Sequence, residues 1–597
     1  MIPLIKHHFP LVLALLLPLC ALSKESTRRF KVKEVAFEGN QAFSSSDLQR
    51  IMITRPSSML TRVFYRRQVL EEDSRNITAF YRARGYLEAS VIATEVQLDS
   101  VKNVARIKIT ISEGGLTTLE NVAFFGNHSQ SDSLLMEKIG IRSGDPYESP
   151  KVDAAVRGML TLYANQGFLD TQIQPETKIN LETHKALVDF IITEGVQYSV
   201  KNIRYEGLEK TRNFVVDREL LLHPGDIVNY TSLIETRQRL FRTGLFQNVQ
   251  IQTVAPEESD SAKKDILLEF QEFKSIRLGG MVGYATVEQA RARVELYNAN
   301  LFGTSRKIGL TGQISFIQRS LEASYSQPWI FRQRWNDDLT FKYEFQKEPS
   351  YELYRKIGRG VLWRSLNPAY TLSFQYRYET ARFANVTIAE TPVDLKADIS
   401  SLDIQQKYDT RDDMINSRRG SYLQWDNELA GSVLGATTDF FRTVVQARGF
   451  RPLNRSMVFA TALEIGWMGD WWTTRPIPLS ERFYAGGPSV LRGFGYQQVG
   501  PKDRNGEPIG GNFKITWNVL ELRSSVWKML GVAAFFDAGN VWSSFRDFQL
   551  QDIRTSPGMG IRANTPLGII RLDAGFNLWK KSDEESLRLY FSVGQAF

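Results

Sequence analysis

Residues 587–597 read Leu587-Arg-Leu-Tyr-Phe-Ser-Val-Gly-Gln-Ala-Phe597 and alternate to the end. Leu587, Leu589, Phe591, Val593 and Phe597 share one face, interrupted only by Gln595, while Arg588, Tyr590, Ser592, Gly594 and Ala596 share the other. A period of two is the signature of a strand, whose successive side chains point to opposite faces. A terminal strand leaves an edge of unpaired backbone groups. In lipid, where no water can satisfy those groups, only closure of the sheet on itself does so.

The same alternation runs from Ser275 onward. Leu339, Phe341, Tyr343 and Phe345 oppose Thr340, Lys342 and Glu344, and Leu372, Phe374, Tyr376 and Tyr378 oppose Thr371, Ser373, Gln375 and Arg377. One apolar and one polar face over more than 300 residues predicts a transmembrane antiparallel β-barrel with a wet interior. At about 20 residues per strand and turn, this length accommodates about 16 strands. A soluble all-β protein would need a second layer over the apolar face, and the chain has no segment left to supply it.

Beyond the N-terminus no apolar run is long enough for a spanning helix. Lys6, the apolar stretch Leu11–Leu17 and Ala21-Leu22-Ser23 predict an export signal over residues 1–23, which would carry away Cys20, the single cysteine. The mature chain then forms no disulfide. The net charge of +8 is modest for 597 residues, and no Lys/Arg run points to nucleic acid.

Residues 30–273 repeat with a period of about 80 residues. Each unit opens on a strand and turn: Val35-Ala-Phe-Glu-Gly-Asn40, Val122-Ala-Phe-Phe-Gly-Asn127 and Ile203-Arg-Tyr-Glu-Gly-Leu208. Two helical stretches follow, the second stopped by Gly85, Gly167 or Gly244, then two strands. The predicted modules are residues 30–114, 116–195 and 197–273, each β-α-α-β-β, ahead of a barrel over residues 275–597. The first two close on Glu113-Gly114 and Glu194-Gly195, the third on Gln271-Glu272. The first also lacks the Gly-Asp pair seen at Gly144-Asp145 and Gly225-Asp226.

Three clusters exceed a generic barrel: Glu481-Arg-Phe-Tyr-Ala-Gly-Gly-Pro-Ser-Val-Leu-Arg492-Gly493-Phe494, Phe535-Phe-Asp537-Ala-Gly539-Asn-Val-Trp542, and Ser556-Pro-Gly-Met-Gly560 running on to Ile570-Arg-Leu-Asp573. With the repeats, and with Tyr408-Asp-Thr-Arg411-Asp412, they resemble the superfamily of outer-membrane assembly barrels, and the repeats resemble its periplasmic POTRA modules. The resemblance spans residues 30–597. It implies that Arg492, Gly493 and Phe494 form the tip of a long loop folded into the lumen, its arginine held by acids on the wall. Asp537 is the expected partner, because Val532, Ala534, Phe536 and Ala538 form the lipid-side row and Asp537 points inward. Glu521 is the second acid that the family implies, yet it shares parity with Phe513, Ile515, Trp517 and Val519. It would face lipid unless a bulge intervenes.

The resemblance also implies a lateral seam between the first and last barrel strands, involving Gly279, Gly280 and Gly283 on one side and Leu589, Phe591 and Phe597 on the other. Glycines weaken a strand and admit another backbone, and a freed edge accepts an incoming strand. The function implied is that of an insertase acting on unfolded outer-membrane or autotransporter clients. Three modules favour the TamA-like branch, with a TamB-like inner-membrane-anchored partner. The alternatives are a BamA-like general assembly factor, a two-partner secretion pore and a passive channel. The localisation implied is the bacterial outer membrane with the modules in the periplasm. No catalytic or metal motif is present: His128, His184 and His223 are scattered, and the expectation is a protein without enzymatic chemistry or cofactor.

Overall fold

The computed structural model describes residues 29–57, 62–256, 262–331, 333–389, 395–471, 476–527, 529–565, 568–582 and 584–593. The expected export signal, Cys20 and Phe597 lie outside the described residues.

Three three-stranded sheets precede one of sixteen strands. In the first module, Lys31–Glu38 lies parallel to Val104–Ser112, which pairs antiparallel with Ser90–Asp99. No hairpin can join parallel neighbours, so the chain crosses over through the helices Ser45–Ile51 and Arg67–Arg82. The second module repeats this with Thr118–Phe125, Lys185–Thr193 and Gln172–Asn180, and with helices Asp132–Ile139 and Ser149–Asn165. Its helices bury Leu135, Met159 and Tyr163 against Val188 and Phe190 of the sheet. The third follows the same order with strands Ser199–Glu206, Lys263–Glu272 and Phe246–Val254.

One local device recurs in all three. Gly39, Gly126 and Gly207 sit at φ +83°, +86° and +78°, and a Cβ at each would stand 2.1 Å from the carbonyl oxygen of Ile111, Ile192 or Phe270. Only glycine fits such a turn. Beside it, Glu113 accepts from the Ala42 amide at 2.9 Å, Glu194 from the Ser129 amide at 2.8 Å and Glu272 from the Thr211 amide at 2.9 Å. The glutamates that close the repeats in sequence therefore fasten the turn that opens them. In the first two modules a tyrosine joins in, Tyr81 donating to Glu113 at 2.8 Å and Tyr163 to Glu194 at 3.0 Å. Burial, then the neighbouring carboxylate, pushes both phenols well above their usual range.

The missing Gly-Asp pair of the first module also has a structural counterpart. Asp145 and Asp226 accept from the amides of Arg142 and His223 at 2.8 and 2.7 Å. In the first module the fully buried Asp73, reaching in from the second helix, accepts instead from the amides of Ile53 and Thr54 at 2.7 and 2.9 Å.

The chain divides into two compact units, the second uniting Arg204–Leu221 and Glu235–Gln252 of the third module with Leu267–Phe597. Its sixteen strands run from Ile276–Ala285 to Leu587–Val593, each beside its sequence neighbours and antiparallel to them. The expected number of strands and alternation are met. Phe341, Tyr343, Phe374 and Tyr376 stand out from the wall, while Glu344, Arg377 and Glu379 are buried inside it. An apolar outer surface of this extent requires a lipid surround.

Among the described residues the closing contact of the sheet is short. Among the described residues the first and last strands are not ladder neighbours. The Thr286 amide donates to the Phe591 carbonyl at 3.0 Å, and the Phe591 amide donates to Thr286 Oγ1 at 2.7 Å. The Tyr284 and Phe591 rings lie 6.0 Å apart.

Candidate functional site: a lumen loop between charge-reversed clamps

Residues 470–512 join the strands Met457–Gly469 and Phe513–Ser525, and they carry Arg492 to complete burial, 0% exposed. A buried guanidinium is tolerable only when its donors are matched. Asp537 takes Nε at 2.9 Å and Nη2 at 2.8 Å, a bidentate fork, and also accepts from the Arg492 amide at 3.2 Å. Glu521 accepts from Nη1 at 2.7 Å, and Asp573 lies 3.6 Å from the same nitrogen. The Phe535 ring lies under the cation, 3.4 Å from centroid to Cζ.

Glu521 reaches this cluster because its strand slips. The register against both neighbouring strands shifts, between Asn518 and Leu520 on one side and between Ala460 and Ala462 on the other. Thr516 and Asn518 face inward before the bulge, and Glu521 and Arg523 face inward after it. The parity that would have turned Glu521 toward lipid is thus reset by an extra residue.

The glycines of the sequence clusters are the space that the loop occupies. A Cβ on Gly575 would meet the Arg492 carbonyl at 2.3 Å, and one on Gly493 would meet the Phe576 carbonyl oxygen at 2.6 Å. The Gly493 amide donates to Ser556 Oγ. Phe494 is 3% exposed, with the Arg554 guanidinium 4.9 Å from its ring centroid. Its carbonyl accepts from the Tyr590 hydroxyl on the last strand. On the wall, Arg571 links Asp573, at 3.3 Å, to Ser592 of the last strand, at 2.6 Å.

A second clamp holds the root of the loop with the charges exchanged. Glu481, 3% exposed, accepts from Arg377 at 3.1 and 3.0 Å and from Arg442 at 3.1 Å. Arg377 also reaches Glu428 at 2.7 Å and Glu379 at 3.1 Å. Burial alone would raise the Glu481 carboxyl, but the Arg377 and Arg442 guanidiniums overcome it and hold the group well below the usual carboxylate range. Sequence reasoning passed over Glu481 although it stands in the same motif as Arg492. The available signal was a set of inward-parity charges, Arg377, Glu379, Glu428 and Arg442, too numerous for an unoccupied wall.

The expected seam residues are placed unevenly. Gly279, Gly280 and Gly283 lie on the first strand and pair with Glu295, Val294 and Arg291 of the second. Phe591 makes the seam contact with Thr286. Leu589, 57% exposed, pairs with Ala574. With Thr286 opposite Phe591, Leu589 falls beyond the end of the first strand rather than beside Gly279.

The profile of the Omp85 superfamily domain matches residues 300–597, and the POTRA profile, described as a surface antigen variable number repeat, matches residues 30–114, 117–195 and 198–272. The outer membrane protein assembly factor BamA of Nitratidesulfovibrio vulgaris is 26% identical, over 96% of this chain and 74% of that protein. BamA of Neisseria meningitidis is 24% identical, over 95% of this chain and 78% of that protein. The crystal structure of Haemophilus ducreyi BamA lacking POTRA domains 1–3 superposes with a TM-score of 0.69 at 19% identity, covering 80% of this chain and 99% of that one, a likeness of fold.

Proposed function

The chain belongs to the Omp85 superfamily, an outer-membrane barrel behind three periplasmic POTRA modules, and on that premise we propose that it is an outer-membrane protein assembly factor of the BamA kind. Its clients are unfolded β-barrel proteins, which it helps into the bilayer at the lateral seam. The BamA relatives, aligned over nearly the whole chain, support this reading over the TamA-like one, which rests on module count. The TamB-like partner was implied only by the TamA-like reading and forms no part of the proposal.

The observation that carries it is the seam. Elsewhere each strand is stitched to its sequence neighbours by a ladder of many paired residues, some of them interrupted by a bulge. Between the first and last strands the described bonds gather at Thr286 and Phe591. Parting that contact exposes two edges able to pair with an incoming strand, whose main chain supplies the affinity whatever its side chains. No covalent step is needed: free energy released by client pairing and burial drives integration.

The test is reconstitution in lipid vesicles with an unfolded barrel client, comparing the protein with a Thr286→Cys/Phe591→Cys variant, oxidised or reduced. Faster integration than in empty vesicles, stopped by oxidation and restored by reduction, is expected. Soluble client inside the vesicles would instead indicate a secretion pore. Steady ion conductance without client integration, independent of Arg492, would indicate a passive channel.

A further inference from the structure

At the end of the barrel that the chain enters from the third module, the second compact unit contains a cavity of about 570 Å³. Its wall residues face the lumen. Lys307 lies beside Ile308, which is 47% exposed on the outer face, and Arg277 lies between the outward Ile276 and Leu278. Among the described residues six cations line it, Arg218, Arg239, Arg242, Arg277, Lys307 and Arg334, against one lining carboxylate, Glu219.

The neighbours of these groups do not restore balance. Glu219 stands 3.8 Å from both Arg218 and Arg334 and also accepts from the Trp329 indole at 2.7 Å. Arg239 pairs with Glu235 at 2.8 Å and Lys307 with Glu295 at 3.4 Å. Arg277 spends its donors on backbone carbonyls, those of Gly244 and Lys274. Asp338 accepts from Ser326 and from the Trp363 indole of the lining, so six cations against four carboxylates leave an excess of two positive charges around one cavity. The Arg218 Nε is buried without a hydrogen-bond partner.

We propose that this cavity is a docking vestibule for acidic segments of unfolded polypeptide, held through their carboxylates; this rests on the assembly-factor reading above. Guanidinium forks match carboxylates in two-bond geometry without reading the residues between them. The indoles of Trp329 and Trp363 in the same lining offer apolar surface to the intervening side chains. Because the cavity lies on the lumen side, a chain passing the mouth meets it and the acyl chains of a lipid do not. A cleft of net positive charge raises encounter rates more than residence times, and it is screened by salt.

The test uses the full chain in phosphatidylcholine nanodiscs and a fluorescein-labelled peptide of alternating Glu and Ser, read by anisotropy. Saturable binding is expected, weakened about tenfold by Arg242→Gln with Arg334→Gln, a change of about 1.4 kcal/mol. Glu235→Gln, which frees Arg239, strengthens it. A Gln-for-Glu peptide does not bind, and binding falls as salt rises past ~0.1 M, where the Debye length is about 10 Å. Arg242 is exposed and Arg334 is 42% exposed at its side chain, so neither change threatens the fold. Binding indifferent to the arginine pair overturns the vestibule, as does inorganic phosphate or a phosphatidylglycerol vesicle binding in place of the peptide. If the protein integrates clients without binding the peptide, this inference fails and the assembly reading stands; peptide binding without integration is the reverse.

Discussion

The Tyr590 hydroxyl donates to the Phe494 carbonyl at 2.5 Å, tying the tip of the lumen loop to the last barrel strand. Its chain neighbour Phe591 holds that strand to Thr286. Loop and seam are therefore joined through two consecutive residues, and whatever lifts the loop tip also loads the closing strand.

Tyr590→Phe keeps the ring and removes the donor, stranding a buried carbonyl at a cost of about 1–3 kcal/mol. Amide exchange at Phe591 should accelerate about tenfold or more, since each 1.4 kcal/mol is a factor of ten. Unchanged exchange there, with the barrel intact, would show that loop and seam are uncoupled.

Arg492→Ala leaves Asp537 with only the Asn518 side chain, at 2.9 Å, among its described side-chain partners. Breaking a buried pair from one side costs about 3–5 kcal/mol. Limited proteolysis should then cut the loop where the parent chain resists. Arg492→Lys should recover only part of the protection, because an ammonium cannot make the two-bond fork to Asp537. Full recovery by lysine would mean that charge alone holds the tip.

Glu481→Gln should be milder, because Arg377 keeps Glu428 and Glu379. The expected loss is about 1–3 kcal/mol, read as faster exchange of the Phe483 and Gly511 amides, which bond to each other's carbonyls at 2.8 and 3.0 Å. Glu481→Gln combined with Arg492→Ala tests whether root and tip release together: independent clamps add, whereas a loop that leaves as one body loses less than the sum.

Burial raises the Glu348 carboxyl, just past the strand Trp335–Lys347, to about 7, although the Gln497 side-chain Nε2 of the loop, whose backbone amide bonds the Gly486 carbonyl, donates to it at 2.9 Å. A carboxyl whose folded pKa lies above its ordinary value of about 4.3 favours the protonated form in the docked state. Docking therefore weakens as pH rises from that ordinary value through about 7, and the change is complete above it. Exchange at Gln497 should be slower at pH ~5 than at pH ~8 after correction for intrinsic rate, and Glu348→Gln should remove the difference. A pH response unchanged in that variant would assign it to another group.

The barrel was legible because lipid imposes a rule on every residue of a strand: alternate faces, alternate chemistry. Asp537 could be placed for the same reason, since its own strand keeps parity from Val532 to Ala538. Glu521 could not, because a bulge depends on how two partner strands slip and leaves no local mark. Register across the closing seam was likewise unreadable, being set by the circumference of the whole sheet, so nothing local told that Leu589 falls past the end of the first strand. Glu481 was hidden for a third reason. Its partners Arg377 and Arg442 come from separate strands, Glu428, which Arg377 also grips, from a third, and only closure brings them to one point.

The exchange of charge between the two clamps has an electrical consequence. An anion is gripped at the loop's root and a cation at its tip. A voltage across the bilayer pulls these two anchors in opposite directions, so its net force on the pair vanishes and only a turning moment remains. A membrane potential therefore does not draw the two anchors out together. Such a latch is undone by something that touches it.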